Sequence, residues 1–245
     1  MKVLFTRPAA PSNALVQALR RNGDELTTCP ALVIEARQAP AAQLSNVRLA
    51  NCFVFVSTHA VRCGWRHVAS RAADIDVCWY AVGPATAAEL SAHGVSVVAP
   101  RTPGSSEALL ALDVLQSVRD KRIVIVRGMG GLDTLFTVLG TRGAHVDALE
   151  VYERRSADVT SLADALAADV DVVVVSSGDG LDAVVTTLNH RKLQRVLNDA
   201  TFVVPSDRVA VQARAAGVVR VVASKGVGDA AVIATLQDLR ANSQG

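Results

Sequence analysis

The stretch KVLFTRPAAPSNALVQALRRNG (2–23) decides the fold, because RIVIVRGMGGLDTLFTVLGTRG (122–143) superposes on it without a gap. Both read as an apolar strand, a polar turn and a helix. The superposition pairs Arg7 with Arg127, Leu15 with Leu135, Leu19 with Leu139 and Gly23 with Gly143. Two further pairs keep the same order at nearly the same offset, about 120 positions. VFVSTHAV (54–61) answers VVVVSSGDGLDAV (172–184), setting Ser57 against Ser176, and YAVGPATAAELSAHGVSVVAP (80–100) answers FVVPSDRVAVQARAAGVVRVVAS (202–224), setting Gly94 against Gly217. No short solenoid period is present. Self-similarity at half the chain length implies two similar domains.

Runs rich in Val and Ile recur at 2–6, 53–57, 79–82, 95–99, 122–126, 172–175, 201–204 and 218–223, each followed by a turn and an Ala/Leu stretch at helical spacing. That alternation predicts an α/β fold of two similar domains, each a parallel sheet flanked by helices. PALVIEARQ (30–38) and LEVYERRSA (149–157) interleave apolar and charged residues, lack a helical pattern and are equivalent at the same offset. Read as linkers, they place the crossings between domains at about 35 and 154. Residues 1–34 and 155–245 then form a discontinuous domain and 35–154 an inserted one, joined by a two-stranded linker. A single cut near 120 would be simpler, but it leaves the paired linkers unexplained.

At 50% hydrophobic and 20% charged residues, the 245-residue chain reads as globular and soluble. Its longest apolar run, around Val172–Val175, is far short of the roughly 20 residues of a membrane span, and MKVLFTRP leads directly into a strand. These features place the protein in the cytoplasm. Cys29, Cys52, Cys63 and Cys78 form no C-x-x-C pair and have no His at ligand spacing, so they read as free thiols, with no metal site. A net charge of +2, scattered basic residues and 4% aromatics argue against a nucleic-acid surface.

Ligands of open parallel sheets bind beyond the carboxyl ends of the strands, where helix amino termini present free N–H groups. Each repeated unit has polar or glycine residues there: Thr6-Arg7, Ser57-Thr58-His59, Gly83-Pro84-Ala85-Thr86, Arg127-Gly128, Ser176-Ser177-Gly178 and Pro205-Ser206-Asp207. Small hydroxyls and glycines let backbone approach a ligand, and two strand-end arginines add positive charge. An anionic ligand between two domains is implied. The plainer reading makes each Ser, Thr or Asp a helix cap, the arginines surface charges and His59 a turn residue. Gly128-Met129-Gly130-Gly131, with Glu150 downstream, hints at a dinucleotide loop, but Asp133 occupies the third glycine position and suits neither pyrophosphate nor close packing. Tyr152, one of two tyrosines, lies in a linker, where a cap or core role is less natural and a phenol would face the cleft.

At these residues the chain resembles the uroporphyrinogen-III synthase family. The resemblance rests on VLFTRP, on FVSTHAV (which looks like the family's F-T-S-x-N-A-V), AVGPATAAEL, SEALL (106–110), VRGMGGLDTL, LEVYER and PSDRVAVQARAAG, in order along essentially the whole chain. It implies the discontinuous two-domain arrangement with a cleft between the domains, and a linear hydroxymethylbilane substrate closed with inversion of the last ring and loss of water. It also implies no cofactor, a monomer, and hydroxymethylbilane synthase as a partner enzyme. Tyr152 matches the family tyrosine implicated in loss of the hydroxyl, and phenols, with an ordinary pKa of about 10, are protonated at neutral pH. Ser57, Thr86, Ser176, Ser177 and Ser206 match cleft-lining positions, to which the residue reading adds Arg7, Thr58 and Arg127 as substrate contacts. His59 in place of the usual Asn, Leu132 in place of a common Arg and Gly228 in place of Ser or Thr depart from the pattern. The rival reading is a non-catalytic tetrapyrrole- or anion-binding protein of the same fold.

Overall fold

The computed structural model describes residues 1–101, 105–131, 133–224, 226 and 228–243. The chain begins with β1 (Lys2–Phe5) and β2 (Glu25–Thr28), then enters β3 (Leu32–Ala36). β4 (Cys52–Phe55), β5 (Cys78–Ala81), β6 (Val97–Val98), β7 (Arg122–Gly128) and β8 (His145–Ser156) follow, and β9 (Val172–Val174), β10 (Thr201–Val204) and β11 (Arg220–Ala223) complete the set. Two compact units result, Met1–Val33 with Arg155–Gly245, and Ile34–Arg154. They are called the terminal unit and the inserted unit below.

The terminal unit holds a five-stranded sheet in the order β11-β10-β9-β1-β2, in which neighbouring strands run parallel. Strand alternation sends successive residues to opposite faces. Leu4, Val173, Phe202 and Val204 therefore pack under the helices Val159–Ala167, Gly178–His190 and Asp207–Ala215, while Val3, Phe5, Val172 and Val203 pack with Leu15, Leu19, Val232 and Leu236 from the other side. Strands buried on both faces are apolar throughout, which is why they stand out in the sequence. β2 is the exception. Its ELTT is mostly exposed at the sheet edge, so no apolar run announces it.

The inserted unit holds a six-stranded sheet in the order β3-β8-β7-β4-β5-β6. β8 through β6 pair in parallel. β3 runs antiparallel to β8, since Arg37 N–H donates to Val151 and Ala157 N–H to Ala31 as one segment rises and the other falls. Phe53, Phe55, Trp79, Val124 and Val126 face the helix Thr58–Val68; Val54, Tyr80, Ile123 and Ile125 face Leu109, Leu135 and Leu139. No helix among the described residues is long and apolar enough to cross a membrane.

β1–β9 and β7–β4 pairing sets Phe5 beside Val174 and Ile125 beside Val54. Structural equivalence therefore matches Ser57 with Ser177, a strict 120-position offset, and corrects the sequence pairing with Ser176 by one residue. The four-valine run Val172–Val175 offers a second pairing one residue away, and only the strand ladder separates the two.

Candidate active site

Four strand-to-helix turns share one backbone geometry. Ser57, Ser177, Ser206 and Gly83 are extended N-caps with φ of −163°, −161°, −166° and −161°. The three serine hydroxyls accept the N–H of the residue three on, Ala60 at 3.1 Å, Gly180 at 3.1 Å and Val209 at 3.5 Å. Each cap satisfies one of the first-turn donors and leaves the others at the carboxyl end of its sheet, where the helix dipole favours an anion. Thr58 is half-buried at the first position of its helix, and Ser176 is half-buried one residue before its cap. Thr86 is only 7% exposed. Gly228 caps its helix through its carbonyl alone, which accepts from Val232 N–H. Leu132 lies outside the described residues.

The strand-end arginines do not stand as unpartnered positive charge. Arg7 pairs with Asp229 at 2.5 Å and donates to the carbonyls of Ala9 and Ala10, knotting the turn after β1. Burial alone would raise the Asp229 carboxyl, but hydrogen bonds from Ser12 and the Arg7 ion pair outweigh it and hold it below the usual carboxylate range. Arg127, 9% exposed, donates to Asp133 at 3.0 Å, lies 3.6 Å from Glu150 and covers the Phe136 ring. The expectation that these two arginines bring net charge to a ligand is thus corrected: carboxylates of the same unit offset each of them. Glu150, the acceptor a dinucleotide loop would need, is engaged by Arg127 and approached by Arg37.

Tyr152 is built into the inserted unit by a defect in its sheet. β7–β8 pairing runs Arg127 with Glu150, then Gly128 with Tyr152, skipping Val151. Such a bulge re-aims a side chain. Here it sends the successive residues Val151 and Tyr152 into one apolar cluster, which regular alternation forbids. The ring fills the space a side chain at Gly128 would need: a Cβ there would lie 2.5 Å from Tyr152 Cε2 and 2.6 Å from Cζ. Tyr152 is 1% exposed, so the view that a linker tyrosine has little core role is corrected.

Its hydroxyl meets the Ser57 cap, Oη lying 3.1 Å from Ser57 Oγ. Arg154, two residues on along the strand and so on the same side, brings Nη2 to 3.5 Å from Oη and its guanidinium to 5.6 Å from the ring centre. The His59 ring stands 6.0 Å from the tyrosine ring in a tilted arrangement. Burial, then Arg62 and Arg154, push the His59 imidazole below its ordinary pKa against a smaller opposing pull from Glu89, favouring the neutral form. Arg62 is itself clamped by Glu89 through two bonds of 2.8 and 3.0 Å. A phenol thus touches a serine hydroxyl with a guanidinium and an imidazole beside it. Sequence reasoning passed over Arg154, the packing of Tyr152 over Gly128 and the placement of His59 within the helix Thr58–Val68. A glycine closing an apolar strand was the available signal, since such glycines mark bulges and close approaches. Among the described residues, no group of three His, Cys, Asp or Glu is placed to hold a metal ion.

The profile of the family described as "Uroporphyrinogen-III synthase HemD" matches residues 13–234. A uroporphyrinogen-III synthase of Escherichia coli (strain K12) is 30% identical over 230 residues, covering 89% of this chain and 92% of that one. The protein of the same name from Salmonella typhimurium is 30% identical over 226 residues, with coverage of 89% and 92%. Among solved structures, a uroporphyrinogen-III synthetase from Helicobacter pylori is similar in fold, with a TM-score of 0.64 at 12% identity over 97% of this chain and 99% of that one. A mutant uroporphyrinogen III synthase from Thermus thermophilus gives 0.62 at 17% identity over 98% and 99%. With a family profile spanning most of its length and relatives aligned nearly end to end, the chain belongs to the uroporphyrinogen-III synthase family.

Proposed function

We propose that this protein closes linear hydroxymethylbilane, supplied by hydroxymethylbilane synthase, to uroporphyrinogen III, inverting ring D and releasing water. The observation that carries the reading is the contact between the Tyr152 and Ser57 hydroxyls at the carboxyl ends of β4 and β7, beside Arg154 and His59. Loss of the substrate hydroxyl needs a proton. Its departure leaves an azafulvene, which the substituted carbon of the far ring attacks to form a spiro intermediate; fragmentation and reclosure invert that ring. Tyr152 is the proton source.

The substrate's acetate and propionate groups suit the N–H groups left over at the Ser57, Gly83, Ser177 and Ser206 caps, with Thr58 and Ser176 beside them. Hydrogen bonds to charged groups contribute about 1.5–3 kcal/mol each. Arg7 and Arg127 act one step back, fixing the turns that present those groups. Supplying freshly made hydroxymethylbilane and resolving the product isomers tests the reading. Type III product is expected, whereas only the uncatalysed type I isomer would leave a tetrapyrrole-binding protein without this activity.

We propose further that residues 35–154 fold alone, because the inserted unit carries both of its apolar clusters within itself. Expressed separately, they should unfold cooperatively; a segment that stays disordered contradicts this.

A further inference from the structure

Resting on the function proposed above, the geometry points to Ser57, not Tyr152, as the catalytic residue that touches the departing hydroxyl, with Tyr152 acting through it as a positioned proton source. Tyr152 is 1% exposed, packed over Gly128 within an apolar cluster, whereas Ser57 is half-buried at the mouth of its turn. A phenol so enclosed reaches a ligand only through what its oxygen touches, and Ser57 Oγ is 3.1 Å away.

The donor and acceptor count permits a relay that runs outward from Tyr152. A serine hydroxyl has two acceptor sites and one proton. Ala60 N–H takes one acceptor site at 3.1 Å. On the tyrosine side, Arg154 Nη2 at 3.5 Å is only a donor and takes an acceptor site on the phenol oxygen; either hydroxyl can donate across the contact, and the relay uses the arrangement in which Tyr152 donates to Ser57. In that arrangement both acceptor sites of Ser57 are filled and its O–H is left to donate to a ligand. The order is Arg154 to Tyr152 to Ser57 to ligand.

The step balances along that order. The C–O bond of the substrate's hydroxymethyl group breaks, its electron pair leaving with oxygen, while the pyrrole nitrogen lone pair forms the azafulvenium cation, the N–H form of the azafulvene. The departing oxygen takes the Ser57 proton, Ser57 takes the Tyr152 proton, and water leaves. The phenolate is held beside the Arg154 guanidinium. When the unsubstituted ring carbon loses its proton after the final closure, that proton returns to Tyr152 by the same path.

The test is a cycle of Ser57→Ala, Tyr152→Phe and the double variant, with Ser57→Thr as the variant that keeps a hydroxyl, each checked for folding by its thermal melt and assayed for type III formation. Ser57→Ala and Tyr152→Phe should each slow the reaction by about 10²-fold. The double variant should be no slower than the worse single one, and Ser57→Thr should restore most of the rate. Near-normal turnover by folded Ser57→Ala alongside a slow Tyr152→Phe would overturn the relay and place the phenol itself on the substrate. Losses that multiply in the double variant would overturn it too. A wild-type protein that yields only type I product removes both this inference and the reading beneath it, whereas wild-type type III product with a fast Ser57→Ala removes the inference alone.

Discussion

The two units present the same frame and differ in what is attached to it. Ser57 and Ser177 cap equivalent helices with φ values two degrees apart, −163° and −161°. Arg127 and Arg7 close equivalent strands, each tied to a carboxylate. At the 120-position offset, however, Tyr152 answers Leu32, Arg154 answers Ile34, His59 answers Asp179 and Gly128 answers Pro8. The phenol, the cation, the imidazole and the glycine that makes room for the ring all belong to the inserted unit. β8 crosses this region as one strand with a bulge, whereas its counterpart in the other half breaks between β2 and β3. Duplication thus conveys the capped helix starts to both units. The proposed chemistry resides where the copies have diverged.

The largest expected effect that sharpens this contrast comes from Gly128. With Cβ contacts of 2.5 and 2.6 Å to a rigid ring, Gly128→Ala must displace Tyr152 from Ser57. Type III formation should fall by at least about 10²-fold, and stability by about 1–3 kcal/mol from overpacking. Normal turnover with an unchanged melting temperature would show that the ring has room to spare. A smaller effect separates the caps. Ser177→Ala and Ser206→Ala remove only an acceptor at a helix start, so each should lower stability by about 1 kcal/mol and the rate by about tenfold or less. Ser57→Ala should slow the reaction well beyond either. Equal rate losses at Ser57 and Ser177 would erase the asymmetry between the units.

The parallel sheets were legible because buried strands print themselves as valine and isoleucine runs, and their covering helices as apolar residues at helical spacing. β2 was not, since ELTT at an exposed edge carries no such run. The serines at the turns read correctly as caps, a local feature of three or four residues. Partners of the arginines could not be read, because Asp229 approaches Arg7 from the far end of the chain and Glu150 reaches Arg127 across a strand pair. The burial of Tyr152 was hidden for a related reason. It depends on a one-residue slip between β7 and β8 and on an empty volume over Gly128, neither of which a linear pattern encodes. Arg154 becomes visible only once residues 145–156 are known to be a strand, which puts it on the side of Tyr152.

The central claim, that the hydroxyl of the inserted unit's tyrosine supplies the proton, is tested most directly by single-turnover type III formation with Tyr152→Phe on freshly made hydroxymethylbilane. The ring packing over Gly128 is kept and only the hydroxyl's contacts with Ser57 and Arg154 are lost. The account predicts a melting temperature close to that of the wild type and a chemical step slower by about 10²-fold, the lower end of what a general acid contributes. An unchanged single-turnover rate would contradict it and leave Tyr152 as a core aromatic.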